Sequence, residues 1–172
     1  PLLELMANKQ VLKVFHAARQ DLEIFYLLAG KLPQPLFDTQ VAAMVCGFGE
    51  SVGYETLVNR LVGEAIDKSS RYTDWSARPL TEKQLNYAIS DVTYLRTVYE
   101  LLETQLTESG RQEWVLEEMA KLTNETIYEA PPREAWLRIK TRNPKPRFLA
   151  ILREVAAWRE TEAKSKDIPR NR

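Results

Sequence analysis

Residues 11–30, VLKVFHAARQDLEIFYLLAG, hold the switch of hydrophobic period on which the fold reading rests. VLKVF, residues 11–15, is short, β-branched and aromatic, the composition of a strand. It runs directly into a stretch whose apolar positions recur at three and four, the spacing of one helical face. A strand followed at once by a helix is therefore predicted. One residue breaks the pattern. Asp21 shares the stripe of Ile24, Phe25 and Leu28, and an unpaired carboxylate on a buried face is costly. The first turn of a helix favours negative charge, because the dipole presents its positive end there, and taken alone Asp21 is accounted for by that field.

A second unit of the same kind follows in PQPLFDTQVAAMV, residues 33–45, with PLF as a short strand and Asp38 placed to cap a helix starting at Thr39. GYETLVNRLVGEAI predicts an amphipathic helix closed near Gly63, and DKSSRYTDWSARPL, residues 67–80, reads as a long polar loop. Thr81 and Gln84 then offer a capping box, opening a helix expected to continue unbroken to Gly110. The chain has 172 residues, 44% of them apolar, enough to bury a core. The single cysteine, Cys46, excludes an internal disulfide, and its apolar surroundings read as an inert thiol. The sequence opens without a signal-type segment, and its longest apolar run is far too short to span a bilayer. A soluble, intracellular protein is expected.

A net charge of zero hides an asymmetry: residues 131–172 hold twelve Lys and Arg against five Asp and Glu, and residues 1–130 hold twelve against nineteen. The basic tail suggests an anionic partner, and the acidic body suggests cation chemistry. Pro131 and Pro132 in YEAPPREAW interrupt the preceding helix and mark a domain break, giving units 1–130 and 131–172.

Asp91 is a second misplaced carboxylate. Tyr87, Ala88, Tyr94, Leu95 and Val98 surround it at helical spacing, which puts it on the core face, about three turns inside the expected helix and beyond the reach of the terminal field. For a lone buried Asp, an ion pair with arginine or lysine is an adequate explanation. Two inward carboxylates on different helices, in a chain with one histidine, point instead to hard divalent cations, Mg²⁺ or Mn²⁺, held by oxygen. Tyr87, one turn before Asp91 on the same face, is placed to orient a metal-bound water; its alternative is ordinary core packing.

These residues, in this order, resemble ribonuclease D and related 3′–5′ exonucleases of the DEDD superfamily, in the branch with a tyrosine before the last acid. FHAARQDLEIF is similar to the second exonuclease motif and YAISD, Tyr-x-x-x-Asp, to the third, while FDTQVAA and DKSSRYTDWSARPLTEKQLNYAISDVTYL resemble the ribonuclease D pattern between and around them. The resemblance implies a ribonuclease H-like α/β fold and hydrolytic release of nucleoside 5′-monophosphates from a 3′ end. It implies that Asp91 is a direct metal ligand, that Asp21 holds a second metal site and that Tyr87 positions the nucleophile, with two ions in the complete site. The family's first motif, Asp-x-Glu on an upstream strand, has no counterpart. The literal match Asp21-Leu22-Glu23 lies on a helix, where positions two apart diverge by roughly 200°. The expectation is a nuclease fold incomplete at its N-terminus.

The tail from Ala135 resembles the start of an all-α HRDC domain, with Phe148, Leu152 and Val155 on one apolar stripe. Lys140, Arg142, Lys145 and Arg147 form a basic cluster suited to phosphates, and Lys68, Arg71 and Arg78 lie in the loop that the resemblance places near the nuclease site. His16 is expected to make a structural hydrogen bond at the strand end. Trp75 and Trp136 are read as packing residues, with base stacking as the alternative. Two functions fit the whole. One is a cytoplasmic, monomeric exoribonuclease trimming 3′ tails of tRNA or other small stable RNA precursors. The other is a noncatalytic nucleic-acid-binding module on the same fold.

Overall fold

The computed structural model describes residues 1–67, 69–129, 131–142, 145–166 and 168. Two compact units divide it, Pro1–Glu125 and Thr126–Arg172.

The first unit opens with α1 (Leu2–Ala7), followed by β1 (Lys13–Phe15), α2 (Arg19–Ala29) and β2 (Leu36–Asp38). The two strands pair in parallel, Val14 opposite Phe37 and Phe15 opposite Asp38, with α2 as the crossover that a parallel pair requires. The lysine of β1 is buried, and its ammonium is saturated by three backbone carbonyls, of Asn8 at 2.6 Å, Val11 at 2.7 Å and Gln34 at 2.5 Å. Lys13 thus ties the loops before the two strands together, since a buried charge is tolerated only when fully hydrogen-bonded.

Beyond β2 come α3 (Thr39–Val45), α4 (Tyr54–Val62), α5 (Glu82–Thr93), α6 (Leu95–Ser109) and α7 (Gln112–Leu122). Asp38 caps α3 as its position predicts, accepting the Gln40 N–H at 2.8 Å. α4 ends at Gly63 in the left-handed region (φ 80°), a conformation that costs glycine nothing. The capping box is present on both sides: the Gln84 N–H donates to Thr81 Oγ1, and the Thr81 N–H donates to Gln84 Oε1. α6 is the hub of the core. It packs on α3, α4, α5, α7 and β1, and Val98, Leu102 and Leu106 are buried with Leu22 of α2 and Leu57 and Val58 of α4. Helices dominate; the strands are three residues each.

The helix expected to run unbroken to Gly110 breaks at Tyr94, where the N–H turns back to the Val92 carbonyl. No glycine or proline causes this. The Ser90 and Thr93 hydroxyls donate to the Tyr87 and Ile89 carbonyls, each at 2.7 Å, in the last turn before the break. The chain also leaves its helix before the paired prolines: α7 ends at Leu122, and Pro132 starts a 3₁₀ turn (Pro132–Arg138) instead of ending a helix.

In the second unit that turn packs on α8 (Pro146–Ser165). The apolar stripe is rotated from the one expected. Ala156 is buried with Leu149 and Leu152 partly covered, whereas Phe148 and Val155 are exposed. Among the described residues no helix is long and apolar enough to cross a membrane.

Candidate active site

The start of α2 is built by a residue from another strand. Ala18 has no capping side chain, and the Asp38 carboxylate takes over, accepting the Ala17 N–H at 3.0 Å and the Ala18 N–H at 2.8 Å. This fixes the first turn of α2, and with it Asp21. The carboxylate of Asp21 is exposed, and so are Ile24 and Leu28 of its stripe; the buried side chain of α2 is Leu22. Asp21 therefore does not face the packed core of this unit, contrary to the reading of its stripe. It sits at the positive end of the helix, which favours its charge. Its pKa is nevertheless raised, first by burial of part of the carboxyl and then by the neighbouring charge of Asp38.

Asp91 is placed differently from the sequence expectation as well. Because α5 stops at Thr93, Asp91 lies in its last turn, exposed rather than mid-helix on a core face. The C-terminal turn carries the negative end of the dipole, an unfavourable field for a carboxylate. Partial burial raises its pKa, and the guanidinium of Arg71 acts against that shift. Among the described residues no ion pair closes on either aspartate.

Tyr87 and Asp91 line one pocket of about 280 Å³, together with Arg71, Tyr54, Thr56 and Ile66. Asp21 is not among its lining residues. Tyr54 was not legible as a site residue, since it reads as the first residue of an ordinary amphipathic helix. Burial, then the charge of Asp91, push its hydroxyl up to about 12, so it stays a protonated donor. That oxygen is buried, and the Tyr94 N–H approaches it without hydrogen-bond geometry. His16 makes the structural bond expected of it: Nδ1 meets Thr39 Oγ1 at 2.9 Å, and its ring lies 5.5 Å from that of Tyr54.

Trp75 leans on Tyr87, with ring centroids 5.7 Å apart. Arg78 donates through Nη1 to the Trp75 and Ala77 carbonyls, at 2.9 and 2.8 Å, so one edge of its guanidinium holds the loop. Arg71 lies 5.4 Å from the centre of the Tyr72 ring. Lys68 lies outside the described residues. Lys140, Arg142 and Arg147 are exposed in the second unit. Cys46 is half-buried, its thiol pushed up by burial against the opposing effect of Arg111, which suits an inert role.

The donor set fits a hard cation in kind. Asp21 and Asp91 offer carboxylate oxygens on which no ion pair closes among the described residues, in surroundings that penalise their charge, and no group of three or more His, Cys, Asp or Glu that could hold a metal ion occurs among the described residues. Mg²⁺ is commonly bound through one or two carboxylates, completing its shell with water and phosphate oxygens.

A family model described as 3′-5′ exonuclease matches residues 1–107, which include Asp21, Tyr87 and Asp91. The chain belongs to the 3′–5′ exonuclease family. It is similar along its whole length to ribonuclease D of Jannaschia sp., 57% identical over 172 residues, covering 45% of that protein. The structure of Escherichia coli RNase D, described as an exoribonuclease involved in structured RNA processing, is 36% identical and superimposes with a TM-score of 0.89 over 99% of this chain and 46% of that one. NrnC of Brucella melitensis with bound Mg²⁺ is 27% identical, with a TM-score of 0.66 over 84% of this chain and 69% of that one. The chain thus shares the fold of the matching part of RNase D, and it spans about half the length of the curated relatives it matches.

Proposed function

We propose that this chain serves a metal-dependent 3′–5′ exoribonuclease that releases nucleoside 5′-monophosphates and trims the 3′ ends of tRNA or other small stable RNA precursors in the cytoplasm. The observation that carries the reading is the convergence of Tyr87 and Asp91, one helical turn apart, with Arg71 on one pocket of an exonuclease-family chain. The RNase D and NrnC likenesses support RNA as substrate and a divalent cation as cofactor.

In this reading Asp91 and Asp21 would hold Mg²⁺ or Mn²⁺. Such ions lower the pKa of a bound water and offset charge on the phosphate oxygens. The Tyr87 hydroxyl orients the attacking water, and Arg71 neutralises the phosphate. Lys68 and Arg78 in the loop, and Lys140, Arg142 and Arg147 in the basic tail, bind the backbone without reading sequence. Residues 1–130 act as the nuclease body, and residues 131–172 as an HRDC-like helical segment that adds affinity for RNA.

The test is mononucleotide release by the native protein from RNA with a free 3′ hydroxyl, with a DNA of the same sequence and a tRNA precursor alongside. Release from both RNAs that stops on chelation and returns with Mn²⁺ supports the reading. RNA binding without release in any metal would identify a noncatalytic binding module, and equal turnover of DNA would remove the RNA assignment.

A further inference from the structure

The polar loop before α5 is fastened more firmly than its composition suggests. Gln84 is buried, and its Nε2 donates to Thr73 Oγ1 at 3.1 Å and to the Asp74 carbonyl at 2.9 Å, while its Oε1 accepts the Thr81 N–H. The Thr73 hydroxyl donates to the Ser70 carbonyl at 2.7 Å, and Asp74 Oδ1 accepts both the N–H and the hydroxyl of Ser76. Arg78 closes the far side through the Trp75 carbonyl. The residue at the centre of this knot is Trp75. Its half-buried indole meets the ring of Tyr87 at 5.7 Å between centroids, with the planes inclined by 51°. Gln84, one turn before Tyr87 on the same helix, therefore anchors both members of the contact: the loop through its side chain and the tyrosine through the helix.

From this geometry we propose that Trp75 is a positioning residue: it holds the Tyr87 ring so that the hydroxyl stays directed at the attacking water, and it is not a platform for nucleobases. The inference rests on the role given to Tyr87 under the proposed function. A tyrosine ring on an exposed helix face has alternative rotamers, and catalysis is sensitive to misplacement of a water-orienting group by as little as 1 Å. A tilted aromatic contact selects among those rotamers. Stacking on a nucleobase would draw the half-buried indole away from this contact.

Two measurements test this. In the native protein without metal or RNA, the ring carbons and protons of Tyr87 carry a ring-current shift from the indole; Trp75→Leu is expected to abolish it and Trp75→Phe to keep part of it. An unchanged Tyr87 signal in Trp75→Leu overturns the contact whatever the activity. With Mn²⁺ and 3′-ended RNA, Trp75→Leu is expected to lower kcat about tenfold at constant KM, with recovery in Trp75→Phe, and to add nothing in a Tyr87→Phe background. Equal losses in both backgrounds would show a structural role, and a rise in KM alone would show base stacking; either overturns the proposal. A wild-type protein that binds RNA without cleaving it refutes the function proposed above instead, and the spectroscopic result still decides the contact.

Discussion

Asp38 Oδ1 accepts the backbone N–H of Ala17 at 3.0 Å, and Ala17 is the sole non-glycine residue with positive φ, 58°, among the described residues. The left-handed conformation costs an alanine about 1 kcal/mol, and the carboxylate sustains it by bonding Ala17, Ala18 and Gln40 together. Asp38→Ala would leave three buried or partly buried N–H groups unsatisfied, and is expected to cost about 3 kcal/mol in urea denaturation. Asp38→Asn should cost less, because its amide oxygen still accepts. Ala17→Gly should be neutral or stabilising by up to about 1 kcal/mol; a loss of stability would show that the left-handed turn is not strained.

His16 carries a pH-dependent part of the stability. The Thr39 hydroxyl donates to the Phe15 carbonyl at 3.0 Å, so its oxygen accepts from His16, whose proton therefore sits on Nδ1. Burial lowers the His16 pKa below its usual value, outweighing the raising effects of the Asp38 charge and of the nearby Val52 carbonyl. The unfolded state then binds the proton more readily, so stability falls as the pH drops below about 6.5 and levels off once the folded-state ring also titrates. His16→Gln should flatten the change in urea midpoint between about pH 7 and pH 5. An unaltered slope in the variant would assign the effect to carboxylates.

Local rules explain which features were visible in the sequence. The β1–α2 switch, the Asp38 cap, the Gly63 terminus and the Thr81–Gln84 box each depend on neighbours within a few residues. The break at Tyr94 was hidden because no glycine or proline marks it. The stripes of α2 and α8 were misaligned because several apolar residues stand at every helical phase in both, so periodicity alone does not select the covered face. Asp91 and Tyr87 stand out in the sequence by their spacing, which does not show that the helix stops at Thr93 and leaves Asp91 exposed. Arg71 entered through the resemblance of its loop, whereas Tyr54 and Trp75 meet them through tertiary placement, which no local pattern encodes.

Tyr87→Phe keeps the ring and its contact with Trp75 and deletes only the hydroxyl. The expected result is a fall in kcat of at least about 100-fold with little change in KM or melting temperature, the signature of a group that works in the transition state. A lower melting temperature with an unchanged rate would make Tyr87 a packing residue.

The two aspartates should show activity and stability moving in opposite directions. For Asp21 the helix dipole favours the ionised carboxylate, an effect of about 0.3–1 kcal/mol at an exposed site. Partial burial, and then the repulsion of Asp38, act in the opposite direction and raise its pKa. Asp91 has its pKa raised by burial, and it has the dipole against it, with Arg71 in opposition. A folded-state pKa above the unfolded value means that the folded chain binds the proton more readily. The penalty for charge is thus fully present at neutral pH, and it is relieved as the pH falls through the folded pKa toward the ordinary value near 3.8. Removing either charge should therefore leave stability at pH 7 unchanged or raise it slightly, by at most about 0.5 kcal/mol given solvent screening of exposed groups. That gain should vanish below about pH 3.8, where both states are neutral. Under the proposed function the same substitutions would remove a metal ligand, so Asp21→Asn and Asp91→Asn are each expected to abolish Mn²⁺-dependent mononucleotide release while RNA binding persists. Urea midpoints at neutral and acidic pH, measured beside single-turnover assays of the native protein, read both effects. Near-normal turnover in Asp91→Asn would sink the metal assignment, and a marked loss of stability at pH 7 would show that these carboxylates hold the fold rather than a cation.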